Sequence, residues 1–128
     1  MTYKLNSKQQ LIAEQKDANQ RYDYCVNKVC QFEEIWSLCD EQGWVELSDS
    51  DGEICLPVWP HPNFAKAWVS GEWANCQPKM VRLQVWLDRW TAGLQSDDTL
   101  LVVFPLDDDE GVIQTPQAFH DDLLSALN

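Results

Sequence analysis

The sequence lacks the features of a membrane protein, a secreted disulfide-rich protein or a zinc-binding protein. Its longest apolar run, Leu100 to Phe104, is far too short to span a bilayer. The polar N-terminus has no apolar segment of the kind that marks a secretory signal peptide. Five cysteines are present, none of them in CxxC spacing, so neither a disulfide framework nor a zinc knuckle is predicted. We therefore expect a cytoplasmic protein without a metal or cofactor, in which the cysteines act as small apolar residues.

Positive charge is scarce and unevenly placed. The formal net charge is −12, from nine Lys and Arg against 21 Asp and Glu. Residues 1–32 hold five of the basic groups and three of the acidic ones, a balance of +2, so the rest of the chain holds four and eighteen, a balance of −14. Most of this surface would repel a phosphate backbone, which disfavours nucleic-acid binding. The acidic segment fits either a solvated coat or a basic protein partner.

Recognisable catalytic and calcium-binding motifs are also missing. There is no Gly-rich phosphate loop and no GxSxG elbow. The run Asp49 to Glu53 fails the EF-hand spacing, so a hairpin loop is the better interpretation. The denser run Asp107 to Glu110 is interpreted as a solvated acidic turn.

Aromatic and apolar residues, in contrast, are plentiful. The chain has 128 residues, of which 45% are hydrophobic and seven are tryptophan. This length and composition predict a single domain spanning residues 1–128, with residues 1–20 forming a loosely docked N-terminal helix. Trp68, Trp86 and Trp90 fall on helical apolar stripes, and we expect them in the core.

The hydrophobic pattern predicts an α+β fold with a mainly antiparallel sheet and helices packed on it. N-terminal helices precede three strands around Trp36–Leu38, Trp44–Leu47 and Glu53–Val58, which tight turns would join into a meander. A later strand within Thr99–Pro105 is apolar on both faces, as expected of a central strand. Thr115-Pro116 has the cap and first-turn proline of a final helix.

The stretch from Glu53 to Trp73 is the best candidate for a partner-binding site. A strand that carries a proline gives way there to a stiff Trp-Pro-His-Pro turn and a short helix. The candidate contact residues are Trp59, His61, Glu72 and Trp73, because exposed tryptophans often anchor interfaces. The alternative for both tryptophans is a place in the core.

Several short motifs, in order along the chain, resemble the bacterial domain of unknown function 2750 family. They are Arg21-Tyr22-Asp23-Tyr24, Trp36-Ser37-Leu38, Leu56-Pro57-Val58-Trp59-Pro60-His61, Gly71-Glu72-Trp73-Ala74, the Trp86–Trp90 helix and Val102-Val103-Phe104-Pro105. The resemblance implies a small cytoplasmic bacterial protein and brings no activity or catalytic residues with it. A fainter likeness at the level of the fold is to the N-terminal domain of SseB-type proteins, which implies a protein-binding role.

Three functions of different classes follow from these observations. The first is a non-enzymatic protein-interaction module whose partner, of unknown identity, is basic. The second is an immunity protein that neutralises a basic toxin by covering its active site. The third is a small enzyme that uses His61 with Cys55, Cys76 or Glu72, which requires these groups within hydrogen-bond reach of one another. The sequence favours a binding role over catalysis and predicts neither a membrane partner nor a particular oligomeric state.

Overall fold

Helices pack against two sheets that differ in strand direction. A computed structural model describes residues 2–69 and 74–128. Its helices are α1 (Ser7–Glu14), α2 (Ala18–Phe32), α3 (Pro62–Trp68), α4 (Leu83–Val85), α5 (Thr91–Ser96) and α6 (Pro116–Leu127), with a π-helical turn (Trp86–Trp90) joining α4 to α5. Its strands are β1 (Glu34–Asp40), β2 (Gly43–Trp44), β3 (Leu47–Ser48), β4 (Ile54–Val58), β5 (Gln77–Arg82), β6 (Leu100–Val103) and β7 (Val112–Gln114). The predicted α+β class is confirmed.

The first sheet has the order β2-β1-β5 and is antiparallel, whereas the second has the order β3-β4-β6-β7 and is mixed. In the second sheet β4 and β6 run parallel, and the outer strands β3 and β7 are antiparallel to their neighbours. Among the described residues the two sheets meet at a bridge, where the backbone groups of Trp36 and Trp59 exchange hydrogen bonds of 2.9 and 2.8 Å. This bridge places the end of β4 against the middle of β1.

The strands of the predicted meander pair with the expected neighbours, but they do not lie in one continuous sheet. Its second strand is divided between the sheets, because Trp44 pairs with Cys39 of β1 while Leu47 pairs with Cys55 of β4. The main neighbour of β1 is β5, over a register of six residues that runs from Glu34 to Cys39. This ladder lies along one edge of β1, and on the other edge the short ladder with β2 is followed by the bridge from Trp36 to Trp59.

The N-terminal segment forms two helices, as the sequence predicts. Each begins with a reciprocal capping box. The side chain of the cap residue accepts from the backbone N–H of the third helical residue, a glutamine, whose side chain accepts from the backbone N–H of the cap residue. The pairs are Asn6 with Gln9 and Asp17 with Gln20. Ala13 is the only buried residue of α1, so little apolar area holds this helix to the body.

The core lies between the helices and the strands β4 and β6. Leu101 and Val103 are fully buried and Val102 nearly so, as the sequence predicts for a central strand. Trp86 is fully buried as expected, but Trp68 and Trp90 are only half-buried. Among the described residues no helix combines the length and apolar character needed to cross a bilayer.

Candidate functional site

Trp59, the first of the predicted contact residues, lies in the core and not on the surface. Its ring is fully buried, and its indole N–H donates to the backbone oxygen of Pro105 at 3.1 Å. The ring also packs on Trp68, with centroids 5.6 Å apart. This burial corrects the expectation of an accessible ring. Both faces of β4 are covered, and Trp59, the residue that follows β4, is covered as well.

His61, the second predicted contact residue, is also buried and has both ring nitrogens engaged. Nδ1 accepts from the backbone N–H of Asn63 at 3.1 Å and so caps α3, while Nε2 lies 2.8 Å from the carbonyl oxygen of Tyr3. A carbonyl can only accept, so Nε2 carries the hydrogen and the ring is neutral. Burial lowers the pKa of His61, although its bond to Tyr3 acts in the opposite direction. His61 therefore ties the N-terminal segment to α3.

The cysteines offer His61 no activated thiol. Cys55 and Cys76 are both buried, and burial raises the pKa of each thiol, with nearby carboxylates adding to the effect. Both nitrogens of His61 contact backbone groups instead of sulfur. Glu72 and Trp73, the other two predicted contact residues, lie outside the described residues.

A groove with an apolar floor and acidic rims lies directly above Trp59. It consists of two adjoining lobes of about 370 and 470 Å³, which share Trp68, Pro105 and Leu106 as floor. Its carboxylates are Glu14, Asp49, Asp107, Asp108, Asp109 and Glu110. Among the described residues neither lobe is lined by a lysine or an arginine. We call this feature the acidic groove.

Buried residues hold the floor of the acidic groove in place. Trp59 supports it from beneath, through its hydrogen bond to Pro105 and its ring contact with Trp68. Cys55 and Val102 extend the floor into the first lobe. The floor thus rests on the core, and its shape does not depend on exposed side chains alone.

The acidic rim at residues 107–110 is folded onto the body by Arg21. This side chain is 1% exposed. Its Nε donates to Phe104 O at 3.1 Å and its Nη1 to Lys16 O at 2.7 Å, while Nη2 lies 3.3 Å from a carboxylate oxygen of Asp109. The last contact is an ion pair without hydrogen-bond geometry. Arg21 therefore connects α2 to the backbone that precedes the acidic turn and to Asp109 within it.

Local backbone bonds complete the turn. Leu106 N–H donates to Asp109 O at 2.7 Å, and the side chain of Asp109 accepts from Gly111 N–H at 3.0 Å. The bond from Gly111, followed by Arg21, lowers the pKa of Asp109. Gly111 has φ +79°, and a Cβ there would lie 2.5 Å from Val103 O, so this position requires glycine. The neighbouring carboxylates Asp107, Asp108 and Glu110 are exposed.

The second acidic run folds as a hairpin loop. One oxygen of Asp49 accepts from the backbone N–H groups of Asp51 and Glu53 at 2.9 and 2.8 Å. These are the local bonds that an aspartate makes in a turn. In residues 2–69 and 74–128 no three His, Cys, Asp or Glu side chains are grouped to hold a metal ion.

A further pocket of about 530 Å³ lies at the π-helical turn. Trp90 stacks on the buried Trp86 with centroids 5.1 Å apart, and meets Trp44 edge-on at 4.8 Å. The indole N–H of Trp86 is buried without an acceptor among the described residues. The sequence pattern placed Trp90 in the core and so missed this pocket wall.

Sequence reasoning also missed Arg21 as a support of the acidic turn, and it placed Trp68 in the core instead of in the floor of the acidic groove. Arg21 occurs in one of the motifs quoted for the family resemblance. That motif drew attention to the residue but did not indicate what the residue does. The partner of Arg21 lies 88 positions further along the chain, so no local pattern could reveal the pair.

Comparison with known proteins identifies one family. A family model described as "Protein of unknown function (DUF2750)" matches residues 22–123, from the second turn of α2 into α6. Neither the curated proteins nor the solved structures provide a match. The likeness to SseB-type domains therefore stays a prediction.

Proposed function

The chain belongs to the DUF2750 family, and on that premise we propose that it is a non-enzymatic module that binds a basic, extended protein segment in the acidic groove. The observation that carries the proposal is the combination of an apolar floor with a lining in which every charged residue is an aspartate or a glutamate. An apolar side chain of the partner would occupy the floor while flanking lysines or arginines face the rims.

The charge of the rims supports a basic occupant. Asp107, Asp108 and Glu110 are exposed, and within the described part of the chain none of them pairs with a cation. Like charges on adjacent residues repel one another, so a cationic ligand would relieve that repulsion. The balance of −14 outside residues 1–32 would also steer a basic partner towards this surface.

The dimensions of the groove support an extended segment over a folded surface. Each lobe has the volume of a site for a few side chains, and the two lobes adjoin at their shared residues Trp68, Pro105 and Leu106. An immunity protein that covers a toxin would present a broader convex or flat surface. The acidic residues suit both roles, but two adjoining concave lobes favour the segment.

Catalysis has less support. His61 is neutral, buried and fully hydrogen-bonded, and burial raises the pKa values of Cys55 and Cys76. These environments disfavour a nucleophile with its base. The five cysteines are free thiols, which supports the reducing cytoplasm as the setting of the proposal.

The proposal is tested with a labelled peptide in which arginines flank a single leucine. Fluorescence anisotropy compares the wild type with the triple variant Asp107→Asn, Asp108→Asn, Glu110→Gln, which leaves Asp109 and its tie to Arg21 intact. Exposed charge pairs contribute roughly 0.2–1 kcal/mol each, so the variant should bind about 3- to 150-fold more weakly. The interaction should also weaken as salt is added.

A matched control removes the same charge elsewhere. The triple variant Glu41→Gln, Asp88→Asn, Asp98→Asn changes three exposed carboxylates that do not line the groove. Its affinity should stay close to that of the wild type. Equal losses of affinity in the two triple variants would show that net charge alone explains the effect and would reject the groove as the binding site. A wild type that fails to bind the peptide at low salt would also reject it.

A further inference from the structure

A recess of the opposite charge lies on the other side of α1. It has a volume of about 520 Å³ and separates the N-terminal segment from α2. Its ionisable lining residues are three lysines and two tyrosines, Lys4, Lys16, Lys28, Tyr3 and Tyr24, and no carboxylate lines it among the described residues. One third of the nine basic residues of this acidic chain therefore face a single recess.

Lys28 lies among three aromatic rings. It is half-buried, and its Nζ lies 5.2, 5.7 and 5.8 Å from the ring centres of Tyr3, Tyr24 and Phe32. The rings attract the charge but leave the three N–H donors of the ammonium group without acceptors. Within the described residues, neither Lys28 nor the other two lysines form an ion pair or a side-chain hydrogen bond.

The uncharged groups of the recess supply further donors. The hydroxyls of Tyr3 and Tyr24 lie 3.1 Å apart, so one donates to the other and the second hydrogen is left for another acceptor. Burial raises the pKa of both phenols, which keeps them protonated at neutral pH. The side-chain amides of Asn27 and Gln31 line the same recess. A ligand rich in acceptors and negative charge would satisfy these groups.

We propose that this recess binds the phosphate group of a small phosphorylated molecule, held by the ammonium groups of Lys4, Lys16 and Lys28 and by the tyrosine hydroxyls. A phosphate dianion carries several strong acceptor oxygens and matches more than one ammonium group. The recess is within the size range of small-molecule sites, so it has room for an organic part beside the phosphate.

Binding there would fasten α1 to the body of the protein. Tyr3, Lys4 and Lys16 belong to the segment before the family match, whereas Tyr24 and Lys28 lie on α2 within it. Ala13 alone is buried in α1, so the unliganded helix has few apolar contacts to hold it. A ligand that contacts both sides would slow the opening of this segment.

The test is a titration with phenyl phosphate and with inorganic phosphate at constant ionic strength, followed by amide chemical shifts. Phenyl phosphate should bind more tightly and shift amides in both segments. Lys28→Gln and Lys16→Gln should each weaken binding by about tenfold or more, as expected for the loss of a charge-assisted hydrogen bond. Saturating phenyl phosphate should also slow tryptic cleavage after Lys8 in the wild type.

Lys79→Gln is the matched control, because Lys79 also lies over an aromatic ring, 5.5 Å from the centre of Trp44, but outside the recess. Its affinity for phenyl phosphate should equal that of the wild type. Three results would each overturn the proposal. They are an equal weakening of binding by Lys79→Gln, unchanged binding by the Lys28→Gln and Lys16→Gln variants, and equal affinities of the wild type for the two ligands. The acidic groove contains none of these lysines, so failure here leaves the peptide-binding proposal untouched.

Discussion

Replacing Arg21 with methionine tests the connection between the core and the acidic groove. Methionine keeps much of the apolar stem and removes the guanidinium group. Two charge-assisted bonds are lost, to the carbonyl oxygens of Phe104 and Lys16. Phe104 has φ +55°, an unusual conformation for an aromatic residue, so one of these bonds stabilises a strained backbone.

The expected loss of stability can be worked from these contacts. Two hydrogen bonds to a charged group contribute roughly 1.5–3 kcal/mol each, or about 3–6 kcal/mol together. Removing a buried charge also relieves its desolvation penalty, which offsets part of this loss. The carboxylate of Asp109 is 44% exposed, so its ion pair adds little. We expect a net destabilisation of about 2–4 kcal/mol.

Urea unfolding followed by tryptophan fluorescence measures this difference directly. Arg89→Met is the control, because Arg89 is exposed and its replacement should change the free energy of unfolding by no more than about 0.5 kcal/mol. The Arg21→Met protein should also bind the basic peptide more weakly, since its acidic turn has lost an attachment. A variant as stable as the Arg89→Met control would show that Arg21 does not stabilise the turn.

Two further replacements test the turn and the N-terminal attachment. Gly111→Ala should destabilise the protein by about 1–3 kcal/mol in urea unfolding, because the new Cβ would lie 2.5 Å from Val103 O at a positive φ. Gly52→Ala is the control and should destabilise the protein less, because Gly52 also has a positive φ but open space around it. The pKa of His61 is lowered from 6.5 in the folded protein, so its contribution to stability is complete above about pH 6.5 and is lost as the pH falls below it. His61→Asn keeps an acceptor for Asn63 N–H and should flatten this dependence, and an unchanged slope would assign it to another group.

The sequence predicted elements whose signals are local. The last helix begins as expected, with Thr115 accepting from the N–H of Ala118 at 3.1 Å and Pro116 in the first turn. The predicted N-terminal helices are also present, and α2 buries Cys25, Val26 and Val29. Caps, first-turn prolines and helical periodicity depend on neighbours a few residues away, which the sequence displays directly.

Strand partners and the candidate site depended on distant contacts. The turn at Glu41-Gln42 joins β1 to β2, as the predicted meander requires. The longer ladder of β1 is with β5, which is distant in sequence and not joined to it by a turn. The ring of Trp59 is buried because β1 and the segment after β6 both cover it, and neither is adjacent in sequence. The acidic run at residues 107–110 was visible, yet its role in a groove became apparent only beside Trp68 and Leu106.

The parallel pairing of β4 with β6 has a consequence for the order in which the protein folds. The two strands are separated by residues 59–99, so their ladder closes only after a long loop has been brought together. Such non-local contacts form slowly, and the capped helices should appear first. During synthesis, a chain that ends before Leu100 leaves the edge of β4 open to pairing with neighbouring chains. Rapid completion of the C-terminal third is therefore a safeguard against aggregation.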